Sequence, residues 1–212
     1  DSLEKISREK FISEKNIQPS LLQTNNITSF TTDDDYLNQW FDRNALNQLL
    51  TYLEIIKKSG YEYSDLMKII LSRSARSSRL TTHFDLDFPK KPQTEPYYCY
   101  KHRRTCKPTT NALQFIKRYS LDSLKRIEEF SKIRTDASVT LKHADSRFAQ
   151  FPKINGVITS PPYVGLIDYH AQHEYAYHLL ELDDNRDLEI GAATNGSSQK
   201  AKSDYQSDLV TV

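Results

Sequence analysis

The sequence predicts an α/β fold in which a mainly helical, basic region precedes a strand–link–strand–helix segment. Three observations carry this. Apolar residues recur at helical spacing through Ile133. The period then shortens to two, with Val139 and Leu141 alternating with polar residues in a strand that ends near His143-Ala144-Asp145. A link through Pro152, a second strand at Gly156-Val157-Ile158-Thr159 and a helix from about Ala171 to Leu182 follow, an element order typical of α/β chains.

Residues 1–32 are rich in Ser, Thr, Asn, Gln and Lys and read as a linker, with a short helix around Leu3 to Ile12. Residues 33–134 form the helical region. Leu37, Trp40, Phe41, Leu46, Leu49, Leu50, Leu53 and Ile56 trace a core-facing helical stripe, with Asp34 or Asp35 suited to cap its start and Gly60 just past its end. Ser64 suits the start of a second helix through Leu66, Ile69 and Ile70, running out near Arg79. From Leu80 to Pro108, four prolines and the cluster Tyr97-Tyr98-Cys99-Tyr100 predict an ordered, irregular loop. Thr109 or Thr110 is placed to cap a long amphipathic helix carrying Leu113, Ile116, Leu124, Ile127, Phe130 and Ile133. Residues 135–212 belong with the two strands.

Composition narrows the function classes. The 212 residues have a mean hydropathy of -0.68, but 13 Tyr and 9 Phe are enough aromatics to build a core. No apolar run approaches the ~18 residues of a membrane span, and no signal-peptide pattern opens the chain. Two cysteines exclude a disulfide-stapled scaffold and suit a reducing compartment. None of the five glycines lies in a G-x-G or P-loop pattern, so no complete phosphate-cradling loop is present in these residues. A start at Asp1 and an end at Val210-Thr211-Val212 lead us to expect a fragment, cut at both ends. Charge is unevenly spread: Lys68 to Arg118 holds 12 Lys/Arg against 3 Asp/Glu, a local +9 within a chain of net +1. Such a block is the footprint of a polyanion, most simply nucleic-acid phosphates, or else a solvated face answering acidic neighbours.

The second strand runs directly into Ser160-Pro161-Pro162-Tyr163. Pro-Pro alone is common, but with Ser before and Tyr after its chance occurrence falls to the order of one in a thousand. Ligands of open α/β sheets bind outside the carboxyl ends of strands, where this turn falls. Two prolines fix two φ angles and remove two N–H donors, leaving a rigid cluster of carbonyl acceptors beside Ser160 Oγ. An exocyclic amino group, with two N–H donors, satisfies such a cluster. Tyr163 offers a flat face on which a base stacks, worth roughly 1–3 kcal/mol.

These residues resemble the S-adenosylmethionine-dependent amino-DNA methyltransferases, which make N4-methylcytosine or N6-methyladenine. Thr159-Ser160-Pro161-Pro162-Tyr163 is similar to their catalytic motif in the form most often associated with cytosine N4. Lys142-His143-Ala144-Asp145-Ser146-Arg147 looks like the preceding strand end, where a polar residue lies near the cofactor's adenine; the resemblance thus implies cofactor binding by Asp145 and Ser146. Val164-Gly165-Leu166-Ile167-Asp168-Tyr169-His170 and His173-Glu174-Tyr175 are similar to the downstream run of restriction–modification-type methylases. The resemblance is specific over about 137–182 and only suggestive over 36–134. It implies a partial Rossmann-like methyltransferase sheet with a mainly helical insertion, acting on double-stranded DNA in the cytoplasm. A cognate restriction endonuclease, or a chain supplying the missing motifs, is the implied partner. The family's glycine-rich cofactor loop is absent and expected before residue 1; its later strands are expected after Val212. The implied mechanism flips the base out of the duplex, seats its amine on Ser160 and the Pro161 carbonyl, and stacks its ring on Tyr163. Alternatives are adenine N6, an amino-group methyltransferase acting on RNA or protein glutamine (the latter weakened by Ser160 in place of Asn), and a non-catalytic nucleic-acid-binding module.

Two further groups stand out. Arg73, Arg76 and Arg79 recur every third residue on one side of a helix and, with Lys101, Arg103, Arg104 and Lys107, form a candidate phosphate-contacting set. Cys99-x2-His102-x3-Cys106 offers three soft ligands, but zinc wants a fourth, which His83 or His143 would have to supply. These are read as ordinary loop residues and no metal ligand is assigned. His170, His173 and His178 are expected to serve packing or substrate-side contacts rather than a metal.

Overall fold

The computed structural model describes residues 30–83, 89–163, 165, 167–192, 196 and 198–212. The expected helix around Leu3 to Ile12 lies outside them, as does most of the 1–32 linker. In chain order the described elements are α1 (Asp35–Trp40), α2 (Arg43–Ser59), α3 (Ser64–Ser78), β1 (Tyr97–Cys99), β2 (Arg104–Cys106), α4 (Leu113–Ser131), α5 (Tyr169–Leu180), a 3-10 turn (Arg186–Leu188) and α6 (Gln199–Thr211).

The single stripe from Leu37 to Ile56 is two helices. Asp34 caps α1 by accepting from the Leu37 amide at 2.8 Å. Asp42 caps α2 by accepting from Asn44 N (2.9 Å) and Ala45 N (3.3 Å). An aspartate that takes two amides at once starts a new helix, so the chain breaks at Phe41-Asp42. Helix α2 ends where Gly60 adopts a left-handed φ of 56°, a conformation that glycine alone enters without steric cost. Ser64 is the first residue of α3 rather than its cap.

Leu46, Leu49, Tyr52, Leu53 and Ile56 of α2 form the middle of the core. Leu37 and Trp40 of α1, Leu71 and Ala75 of α3, and Ile116 of α4 pack around them. Helix α3 is central, touching α2, α4 and α5. Its buried Ser74 and Ser78 return their hydroxyls to the carbonyls of Ile70 and Ser74, both at 2.7 Å, so these small side chains are satisfied without reaching outward and neighbouring helices can approach. Tyr175, Ala176 and Leu179 of α5 complete the same core, joining the helical region to the segment that carries the proline motif.

Neither Thr109 nor Thr110 caps α4. The Gln48 side chain of α2 accepts from Ala112 N (2.6 Å) and Leu113 N (3.1 Å), while Asn44 Nδ2 donates to Thr110 O (2.7 Å). A polar face of α2 thus caps α4 across the fold.

The sheet among the described residues is the antiparallel hairpin β1–β2, with Tyr97 opposite Cys106, Tyr98 opposite Thr105 and Cys99 opposite Arg104. It lies inside the segment expected to be irregular. Conversely, the residues expected to form two strands, near 139–145 and at 156–159, form no strand. Val139 and Leu141 are 80% and 90% exposed, and Val157 and Ile158 are exposed as well. A strand exists only through a hydrogen-bonded neighbour and parallel strands are buried on both faces; among the described residues nothing supplies either. Among the described residues the chain is helices with one small two-stranded sheet, compatible with part of an α/β methyltransferase fold, and the Rossmann-like sheet is not seen there. Helix α6, absent from the sequence reading, is capped by Ser198 Oγ, which accepts from Ala201 N at 3.1 Å.

Candidate active site

Ser160, Pro161 and Tyr163 are exposed, Tyr163 by 58%, and Pro162 is half-buried. The motif therefore offers its face outward rather than being packed into the helical core. The Tyr205 hydroxyl of α6 donates to the Pro162 carbonyl at 2.6 Å, tying the proline pair to a helix 43 positions along the chain.

At Pro162 lies an open cleft of about 460 Å³, lined also by His143, Ala144, Asp145, Ser146, Asn185, Leu188, Glu189 and Ile190. The structure thus brings Asp145 and Ser146 to the same cavity as the motif, across 16 residues of sequence. Arg147 organises this wall. Its guanidinium pairs with Asp145 (2.7 Å) and Asp208 of α6 (3.2 Å), and a third contact reaches Leu188 O at 3.4 Å. The Arg147 side chain and its backbone amide hold the Asp145 carboxyl below the usual carboxylate range, so it stays an acceptor. Glu189 adds a second acceptor: Oε1 takes the Tyr169 amide at 2.9 Å, while Oε2 is buried without a hydrogen-bond partner. Tyr205, Asp208 and Glu189 were invisible to sequence reasoning, since no local spacing links them to the proline turn.

Helix α5 begins just past the motif, capped by Asp168 on Ala171 N at 2.7 Å. Two of its histidines are packed: His170 is buried with its ring 4.2 Å from Tyr177, and His178 stacks on Tyr36 at 4.5 Å while bonding Asp34 at 2.7 Å; His173 is exposed.

The seven candidate phosphate contacts divide. Lys101, Arg103, Arg104 and Lys107 are exposed on or beside the β1–β2 hairpin, together with Tyr98 and Tyr100. Arg73 and Arg76 of α3 and Arg79 at its C-terminal end are covered to different degrees. Arg73 pairs with Asp122 at 2.8 Å and lies over the Tyr119 ring at 4.3 Å. Arg76 is half-buried. Arg79 departs from its expected role: it is 2% exposed, with its guanidinium 4.6 Å from the Tyr175 ring centroid, and so braces α3 against α5. Beneath the hairpin, His83, Cys99, His102 and Cys106 converge. Burial, with His102, Lys101 and Arg104 nearby, lowers the His83 pKa below the ordinary histidine value and favours the neutral ring.

Comparison with known proteins bears on this arrangement. In an alignment of 190 residues that covers 82% of the chain, it is 43% identical to the Type II methyltransferase M.MjaII of Methanocaldococcus jannaschii. The similarity is to a methyltransferase. The chain spans about a third (36%) of that protein's length. No protein-family model matches the chain, and no solved structure matches it. Among the described residues, no helix is long and apolar enough to cross a membrane.

Proposed function

We propose that this chain is the target-base portion of a DNA amino-methyltransferase that transfers a methyl group from S-adenosylmethionine to the exocyclic amine of a flipped base, with cytosine N4 the preferred acceptor. The observation that carries the reading is the shared cleft: Pro162 of the Ser-Pro-Pro-Tyr turn and the Asp145-Ser146 pair face one cavity, in a chain 43% identical to a methyltransferase.

Each residue type suits its part. Ser160 Oγ and the Pro161 carbonyl accept the two N–H groups of the amine and aim its nitrogen lone pair. Tyr163, exposed and flat, stacks on the extruded ring. Tyr205 fixes the turn's orientation through the Pro162 carbonyl. Asp145 and Ser146 line the cleft with acceptors suited to the hydroxyl and amino groups of a nucleoside, so these side chains suit S-adenosylmethionine at its nucleoside end. When bound, that cofactor supplies an electrophilic methyl on a positively charged sulfur. Positioning the amine in line with it is then the main task of these residues, and neither cysteine need act as a nucleophile. The exposed cations of the hairpin contact phosphates without reading sequence.

The test is Tyr163→Ala in the full-length protein. Methyl transfer should fall by one to two orders of magnitude, the equivalent of about 1–3 kcal/mol of stacking, while nonspecific duplex affinity stays within about twofold. An unchanged turnover rate would remove the stacking role.

A further inference from the structure

We propose that His83, Cys99, His102 and Cys106 form a structural zinc site that fastens the β1–β2 hairpin to the chain leaving α3. This replaces the reading of these residues as ordinary loop side chains. His83 supplies the missing fourth ligand; His143, the other candidate, lines the cleft beside Asp145 instead.

The geometry has four parts. First, one ligand atom from each residue lies within 4.8 Å of all the others. Tetrahedral zinc with Zn–S near 2.3 Å and Zn–N near 2.0–2.1 Å wants donors about 3.3–3.8 Å apart, so the widest pair closes by only about 1–1.5 Å. Second, the hairpin register makes the pattern. With Cys99 opposite Arg104 and Cys106 opposite Tyr97, the period of two puts both thiols and Tyr97 on one face, and both thiols are buried and unbridged. Third, the turn that carries His102 has Arg103 in a left-handed conformation (φ 52°) and brings His102 Nδ1 to 3.4 Å from Cys106 Sγ. A non-glycine residue holds such a conformation only where its surroundings enforce it. Fourth, the Tyr97 hydroxyl sits 2.8 Å from His83 Nδ1 and accepts from the His83 amide at 3.0 Å. That contact occupies Nδ1 and leaves Nε2 as the ring's ligand atom, the outer-shell arrangement common to metal-bound histidines.

Energetics point the same way. Two three-residue strands are at best marginally stable as an isolated hairpin, and neither cysteine belongs to the helical core cluster. Metal binding supplies folding free energy to such a unit. Four protein donors fill a zinc tetrahedron, which makes the site structural and not catalytic. Its further use, holding Lys101, Arg103, Arg104 and Lys107 in place for phosphates, rests on the proposed function; the metal site itself does not.

The experiment is metal analysis of the full-length protein purified without chelator, followed by Co²⁺ addition to the metal-free, reduced protein. One zinc per chain should be lost in the Cys99→Ser/Cys106→Ser double variant, and Co²⁺ should give the intense visible absorption of a tetrahedral thiolate site. His102 is exposed and packs into no core, so His102→Ala should stay folded while weakening zinc by about tenfold or more; His143→Ala should leave zinc affinity unchanged. Absence of zinc together with an octahedral Co²⁺ spectrum would overturn the site, as would equal zinc retention in wild type, His102→Ala and the double variant. These readouts do not involve methyl transfer, so failure of the metal site and failure of the methyltransferase reading are separable.

Discussion

Asp34 shows how much one carboxylate does in this fold. It caps α1 through the Leu37 amide and bonds His178 of α5 at 2.7 Å, joining two helices 144 positions apart. Burial pushes its carboxyl up, but the Leu37 amide and His178 together outweigh burial and hold it below the ordinary value of 3.8. A depressed folded-state pKa gives stability that is present above 3.8 and lost as pH falls through the folded value. Asp34→Ala should therefore cost about 1 kcal/mol near neutral pH, as lost N-caps do. It should also flatten the fall of the urea midpoint below pH 4, and an unchanged acid slope would count against the pairing. Asp34 was legible as a cap, because Asp before an apolar stripe is a local signal. Its histidine partner was not, since proximity across 144 residues leaves no local trace.

At the scale of elements, periodicity marked the helical stretches of the core but merged α1 with α2 and missed some ends. Leu37 to Ile56 forms one stripe on paper, yet Asp42 interrupts it, and the start of α4 is decided by Gln48 on another helix. Gln48→Ala should cost about 0.5–2 kcal/mol, comparable to losing a cap, while Thr109→Ala and Thr110→Ala should be nearly neutral. Thermal or urea unfolding of the three variants checks this, and the reverse order would contradict the cross-helix cap. Leu49, fully buried at the middle of α2, should be more sensitive: Leu49→Ala should cost about 2–5 kcal/mol. Strands were legible less well. The β1–β2 strands are too short for a period-two pattern to show. Val139, Leu141, Val157 and Ile158 carry a strand pattern, but a pattern cannot supply the neighbouring strand that turns extended chain into sheet.

Across the whole molecule, a helical core, a basic hairpin and a cleft at the proline motif sit on one chain, with α6 tied to the motif through Tyr205. The +9 block foreshadowed the hairpin, but a charge count could not separate Lys101, Arg103, Arg104 and Lys107, which face solvent, from Arg73, which pairs with Asp122, and Arg79, which is buried against Tyr175. Arg103→Ala/Arg104→Ala should weaken duplex binding across all sequences and reduce the slope of log affinity against log salt by about 1–2. Arg79→Ala should lower stability with that slope unaltered, and equal salt slopes in all variants would remove the phosphate assignment. The site residues that share a local motif, Ser160 to Tyr163, were legible at once. Tyr205, Asp208 and Glu189 became visible only when folding gathered them around the cleft. The most direct test of the central claim is mass spectrometry of nucleosides from duplex DNA incubated with the full-length protein and S-adenosylmethionine. N4-methylcytosine that disappears with Ser160→Ala is the expected result. Methylation at cytosine C5, or no methylated nucleoside at all, would contradict a proline turn that holds a base by its exocyclic amine.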